Sequence, residues 1–342
     1  MNNYQKWFQT VLVLILLPVF LVGGFNYYID PLWTFNHAHQ YNRIQLSFNE
    51  RQQKTNRLAF GKNDYDSLLL GSSRVTYINQ HDFTGQRTFN YAVNNMLPQE
   101  YADYARFARQ QNGRDFDTIY LGLDFFSTNR NLELPNQFEP PAYYIDQTRQ
   151  FGYRFKNLLS TDLLKYSWKN LENSRRGEPL SFSYDHSNVK TLVPAPAQEK
   201  AWRIAQNMDW YGNEVYGGDY RYGSIKPALQ QLKAAFPHTR FVVFTTPVSE
   251  ELFQLMVDQG RWPDYQHWLT EIVEVFGEVC NFNYPNTITR DMANYYDASH
   301  FYPRIGTLIA HRISGVADPA LPDDFGVRVT RTNLPAHLRA VD

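Results

Sequence analysis

The sequence predicts an α/β fold with a mainly parallel central sheet, preceded by a membrane-spanning helix and interrupted by a central insertion. Three observations lead there. Residues 11–25 carry no charge. From residue 63 onward, short apolar runs of strand length alternate with segments whose apolar residues recur at helical spacing, the pattern of a parallel sheet covered by helices. Residues 131–222 break that rhythm with Pro, Tyr, Asn and Arg.

Extended outward to Trp7 and Tyr28, the apolar run reaches the roughly 20 residues that a spanning helix needs. Trp7, Tyr27 and Tyr28 flank it as an aromatic belt would, and Pro18 is tolerable inside a membrane helix. The rival is a cleaved signal peptide, with Lys6 as its positive end and Val22-Gly23-Gly24 near a cut. The apolar core is long for that, which favours an uncleaved anchor over 7–28. A buried helix of a soluble protein is a third alternative, disfavoured by a terminal segment that is apolar on all sides. Lys6 alone precedes the span, whereas Arg43, Arg51, Lys54 and Arg57 follow it. That opposes the positive-inside rule, although these residues begin well beyond the span and a large following domain translocates largely regardless of loop charge.

Residues 29–62 read as a polar and aromatic juxtamembrane connector, helical around 45–60. Strands are expected at 67–70, 88–93, 118–126, 241–245 and 278–282. Helices are expected at 99–111 and 225–236, stopped by Gly113 and Pro237, then over 250–275 with a break at Pro263, and at 305–313. The expected main domain is thus 63–316, with 131–222 as an insertion or lid and 317–342 as a peripheral tail.

Composition narrows the partners. The 342 residues have a formal net charge of -1, and no basic motif of a nucleic-acid fold is visible, so nucleic acid is not an expected partner. The single cysteine, Cys280, excludes an intrachain disulfide and a cysteine-rich zinc site. No nucleotide-binding glycine loop or metal cluster appears, so no cofactor and no metal is expected. His37 and His39 lack a third ligand nearby, which makes solvent exposure the simpler account, and His186 reads as a loop residue. Trp202, Trp210, Tyr211, Tyr216, Tyr220 and Tyr222 cluster in the insertion. They suit either a glycan cleft or the aromatic core of a lid.

Chemistry concentrates in two short motifs. Gly71-Ser72-Ser73 ends an apolar run, and Asp297-Ala298-Ser299-His300 lies near the C-terminus. A serine just past a parallel strand stands where such sheets bind ligands. His300 is the candidate base for its hydroxyl, and Asp297, three residues earlier, can hold the other imidazole nitrogen. Arg74, next to Ser73, suits either an anionic ligand or a salt bridge.

With these residues the sequence resembles the SGNH, or GDSL-like, hydrolase superfamily. Leu68-Leu69-Leu70-Gly71-Ser72-Ser73-Arg74 is similar to its first block, and Asp297-Ala298-Ser299-His300-Phe301 to its last. Phe89-Asn90-Tyr91-Ala92-Val93 falls at the second block, with Ala92 replacing the oxyanion-hole glycine and keeping a backbone N–H. Leu121-Gly122-Leu123-Asp124-Phe125 keeps the third block's Gly122 and has Asp124 without the asparagine that normally donates to the oxyanion. An ionised Asp124 would repel that charge, so the alternatives are a substituting amide such as Asn90, Asn94 or Asn95, an Asp124 that is protonated or turned away, or weak or absent acyl chemistry. The resemblance covers roughly 66–124 and 241–311.

The resemblance implies a three-layer flavodoxin-like fold and catalytic Ser73, Asp297 and His300, with Ala92, Asn90, Asn94, Gly122, Asp124 and Arg74 lining the oxyanion or substrate site. The N-terminal anchor is similar to the branch holding the D-alanyl-teichoic-acid transfer and alginate-type O-acetylation proteins. That branch implies a single-pass protein of the cytoplasmic membrane with its main domain outside, in the periplasm. Its expected role is acyl transfer or ester hydrolysis on a cell-envelope polysaccharide, fed by an acyl donor and a membrane-bound O-acyltransferase. The alternative is a non-catalytic scaffold that docks such an acyltransferase.

Overall fold

A computed structural model describes residues 2–134 and 138–341. Residues 135–137 of the expected insertion and Asp342 of the tail lie outside the described residues. The strands in chain order are β1 (Gln45–Leu46), β2 (Ser67–Leu70), β3 (Thr88–Asn90), β4 (Thr118–Leu123), β5 (Ser183–Tyr184), β6 (Lys190–Thr191), β7 (Arg240–Thr245), β8 (Glu278–Asn281) and β9 (Val327–Thr330). The first six helices are α1 (Asn3–Ile29), α2 (Glu50–Phe60), α3 (Pro98–Asn112), α4 (Pro141–Arg149), α5 (Tyr153–Lys156) and α6 (Thr161–Arg176). Then follow α7 (Ala197–Trp210), α8 (Lys226–Ala235), α9 (Glu250–Asp258), α10 (Trp262–Phe276), α11 (Pro303–Ser314) and α12 (Leu334–Val341).

The chain divides into two compact units, one of residues up to Lys62 with Ala142–Ser187, the other of Asn63–Pro141 with the chain from Asn188 onward. The insertion expected over 131–222 is therefore split. Its residues 142–187 join the N-terminal segment for a local reason: buried amides there take their partners from them. Asn26 Nδ2 donates to Leu158 O at 2.8 Å, Ser167 Oγ to Asn26 Oδ1 at 2.7 Å, and Asn170 Nδ2 to Gln45 Oε1 at 2.7 Å.

In this first unit α1 is long and apolar enough to span a membrane, and its apolar side chains are exposed along most of its length. The stretch expected to be a connector is instead packed. Glu50 through Asn56 of α2 are all buried, and burying them is tolerable only because they are bonded. Gln53 Nε2 donates to Pro31 O and Leu46 O, Asn56 Nδ2 to Leu32 O, and Tyr184 Oη to Glu50 Oε1. His37 and His39 rest on Tyr27 and Tyr28, with ring centroids 4.5 and 4.2 Å apart.

The second unit holds an α/β sheet in the order β3-β2-β4-β7-β8-β9. β3, β2, β4, β7 and β8 are parallel, and β9 closes the edge antiparallel. Counted within the sheet, the parallel strands run 2-1-3-4-5, so the chain reverses direction of growth between β2 and β4. Leu69, Tyr120 and Phe244 share a buried cluster with Ile305, Ile309 and Ala310 of α11, while α3 packs on α8 and α8 on α10. The tail is not peripheral. β9 pairs with β8 through Glu278↔Thr330 to Asn281↔Val327, and Phe325 is fully buried. The helix expected over 250–275 breaks at residues 259–261, and Pro263 opens α10, where a missing N–H costs nothing.

Candidate functional site

Ser73 follows β2, Asp124 follows β4 and Thr246 follows β7, so three neighbouring parallel strands deliver side chains at their carboxyl ends, around the β2–β4 reversal. Such a switch point is where open α/β sheets bind ligands. Two glycines shape it. A Cβ on Gly71 or on Gly122 would overlap Val75 of the short 3₁₀ turn after Ser73. Both glycines therefore let that turn sit down on the sheet.

The second motif is a tight turn between a 3₁₀ turn at Met292–Asn294 and α11. Tyr296 N donates to His300 O at 2.8 Å, and Ser249 N to Ala298 O at 3.0 Å, which ties the turn to the segment after β7. Inside it, Asp297 Oδ1 accepts from the Ser299 and His300 N–H groups at 2.7 and 2.8 Å. Burial raises the Asp297 pKa, but His300 and these donors more than reverse that, holding the carboxyl below its ordinary value. Asp297 is thus a carboxylate at neutral pH.

The structure brings Ser73, His300 and Asp297 together. Ser73 Oγ is 2.9 Å from His300 Nε2, and His300 Nδ1 is 2.9 and 3.1 Å from the two Asp297 oxygens. An ionised Asp297 keeps the proton on Nδ1, which leaves Nε2 to accept the Ser73 hydroxyl. His300 remains 26% exposed and Ser73 is half-buried, so the hydroxyl can be reached.

The other expected residues are placed differently. Arg74 is 2% exposed and donates to Asp124 Oδ1 at 2.8 Å, to Thr246 Oγ1 at 3.3 Å and to Tyr211 Oη at 2.6 Å. Desolvation works against its charge, but Tyr211 and Asp124 overcome it and raise its pKa. A guanidinium so enclosed is not a ligand for an outside anion. Asp124, equally buried, also accepts from Thr246 Oγ1, and its Oδ2 has no hydrogen-bond partner among the described residues. Its charge is answered by Arg74 rather than directed at an oxyanion.

Asn90 cannot stand in as an oxyanion donor. Its Nδ2 donates to Val75 O and Ile78 O, both at 2.9 Å, and its Oδ1 accepts the Ala92 N–H at 3.0 Å. The Ala92 N–H is thereby engaged within the fold. Gly122 contributes clearance for Val75 and Phe244. Asn94 is half-buried beside Asn95, whose φ of 52° closes a turn. Among the described residues, nothing accepts from the Ser73 N–H.

Sequence reasoning did not assign Tyr211, Ser299 or Thr246 to the site. Tyr211 Oη accepts from Arg74 at 2.6 Å, and the Ser299 hydroxyl lies 3.0 Å from Asp297 Oδ1 and 3.1 Å from His300 Nδ1. Asp124, Thr246, Arg74 and Tyr211 thus form one buried polar network, and Ser299 belongs to the Asp297–His300 turn. Tyr211 opens a π-helical turn, Tyr211–Val215, a feature common at functional sites. Of the aromatic cluster, Tyr211 and Tyr216 are buried whereas Trp202 is 62% exposed. Among the described residues no group of three His, Cys, Asp or Glu side chains is placed to hold a metal ion. The chain matches no family model, and no curated protein is significantly similar to it.

Proposed function

We propose that this protein is a membrane-anchored, extracytoplasmic serine acyltransferase or esterase acting on O-acyl groups of a cell-envelope polysaccharide, with a three-layer, flavodoxin-like SGNH architecture. The observation that carries the reading is the hydrogen-bonded series Ser73–His300–Asp297 at the carboxyl end of a parallel sheet. The 2-1-3-4-5 strand order, a flavodoxin-like one, supports the architecture.

Ser73 Oγ attacks the acyl carbonyl carbon of a donor ester while His300 Nε2 takes the hydroxyl proton. The carbonyl π electrons move to oxygen, and the donor assigned to that charge in this reading is the Ser73 N–H, for which the described residues supply no acceptor. Collapse expels the donor alkoxide, which receives the proton from His300 and leaves an acyl-Ser73 ester. An acceptor hydroxyl then gives its proton to His300 and attacks the same carbon, and Ser73 Oγ leaves with the proton returned. Water as acceptor makes an esterase, and a sugar hydroxyl makes a transferase. Asp297 stays ionised and stabilises the imidazolium.

A second reading, a non-catalytic scaffold for a membrane-bound O-acyltransferase, is favoured by two observations. The Ala92 N–H is spent on Asn90 and the third-block position is an ion-paired Asp124, which leaves few oxyanion donors. Cells carrying Ser73→Ala separate the two. Lost polymer O-acylation at normal protein levels supports the enzyme. Normal acylation in the variant, together with loss when the whole chain is removed, supports the scaffold.

A further inference from the structure

Beside the anchor lies a groove of about 660 Å³, walled by Leu21, Val22 and Phe25 of α1 and by Leu164 and Trp168 of α6, with Lys165 and Lys169 at its rim. Its position along α1 is informative. At 1.5 Å per residue the 27 residues of α1 are about 40 Å long, against about 30 Å of bilayer hydrocarbon. The groove sits just before Asn26, whose amide bonds to Leu158 O and Ser160 O mark the first polar anchorage. It therefore falls at the hydrocarbon–headgroup boundary.

The neighbouring surface suits that boundary and not water. Leu159 and Trp168 are 52 and 61% exposed, the Trp168 ring lies 6.2 Å from that of Phe25, and a Cβ on Gly23 would touch Leu159. An apolar patch of this kind, rimmed by polar residues, marks an interaction surface. Trp favours the bilayer interface, and lysines there bury their stems while the ammonium reaches the headgroups.

We propose that this groove binds an anionic phospholipid, one acyl chain lying on Leu21, Val22, Phe25 and Trp168 and the phosphate held between Lys165 and Lys169. The proposal rests on α1 spanning a bilayer. Lys165 is already paired with Asp162 at 3.1 Å, so the net preference over a zwitterionic lipid is about fivefold, the contribution of one lysine near the surface.

The test uses the full chain in nanodiscs of phosphatidylcholine and phosphatidylglycerol, with brominated acyl chains carried on one lipid or the other. Trp168 emission is isolated by subtracting the Trp168→Phe variant, and Trp7 emission by subtracting Trp7→Phe. The expected result is Trp168 quenching several-fold stronger from brominated phosphatidylglycerol than from brominated phosphatidylcholine at equal mole fraction. The Lys165→Gln/Lys169→Gln variant should keep the quenching and lose the preference. Trp7 quenched with Trp168 unquenched overturns the groove alone, and a cross-linked dimer in that case assigns the groove to a second copy. Equal quenching by both lipids overturns the headgroup contact. A chain that fails to enter the nanodiscs overturns both the span and the groove.

Discussion

Asp124→Asn is the substitution for which the resemblance and the structure give opposite expectations. By resemblance it restores an oxyanion donor and should help. In the structure it removes the charge facing Arg74, both side chains being 2% exposed and 2.8 Å apart. Removing one partner of a buried pair costs about 3–5 kcal/mol, because the remaining charge is left uncompensated. Asparagine keeps an oxygen for the Arg74 and Thr246 donors, which places the loss near the lower end, about 3 kcal/mol. For a body of this size that is a fall in Tm of about 6–12 °C, read by thermal unfolding of the full chain in detergent. The Arg74→Met/Asp124→Leu double variant removes both charges and should recover much of the loss. Asp124→Asn protein as stable as the parent, or more stable, would refute the buried-pair reasoning.

Other perturbations probe the same framework. Tyr211→Phe keeps the ring and removes the hydroxyl that accepts from Arg74, which should cost about 1–3 kcal/mol in chemical denaturation. Gly122→Ala places a Cβ against Val75 and the Phe244 ring and should cost about 1–3 kcal/mol by overpacking, with Val75→Ala giving relief in the same unfolding assay. His186 titrates at about 4, lowered from 6.5 chiefly by burial. The fold prefers its neutral form, so stability should decline as pH falls from 6.5 toward 4, by about 3 kcal/mol in total. His186→Gln should flatten that part of the stability–pH curve, and a parent curve already flat there would contradict the assignment.

What the sequence discloses follows from how far each signal reaches. β2, β4 and β7 are runs of four to six residues, mostly buried, and a continuous apolar run is legible locally. β9 is an edge strand with one buried residue in four, so nothing in its own composition separates it from a tail. α2 reads as a solvated connector because its residues are polar, and its burial is explained by partners outside it, among them the carbonyls of residues 31, 32 and 46 and the hydroxyl of Tyr184. At the site, the Asp297–His300 spacing is local and visible. The Arg74–Asp124 pair spans 50 residues and Arg74–Tyr211 spans 137, so proximity there is a property of the fold. Asn90 illustrates the limit: its residue type suits an oxyanion donor, and its partners in the 3₁₀ turn consume it.

The most direct test of the proposed chemistry is covalent labelling of the full chain by a small alkyl fluorophosphonate, with the modified residue located by peptide mass mapping. Ser73 is half-buried beside a 26% exposed His300, so a small probe can reach it. The account predicts a single phosphonyl adduct on Ser73, absent in Ser73→Ala and slowed about a thousandfold or more in His300→Ala. An unmodified Ser73 in the folded parent protein, or labelling at the same rate without His300, would contradict it.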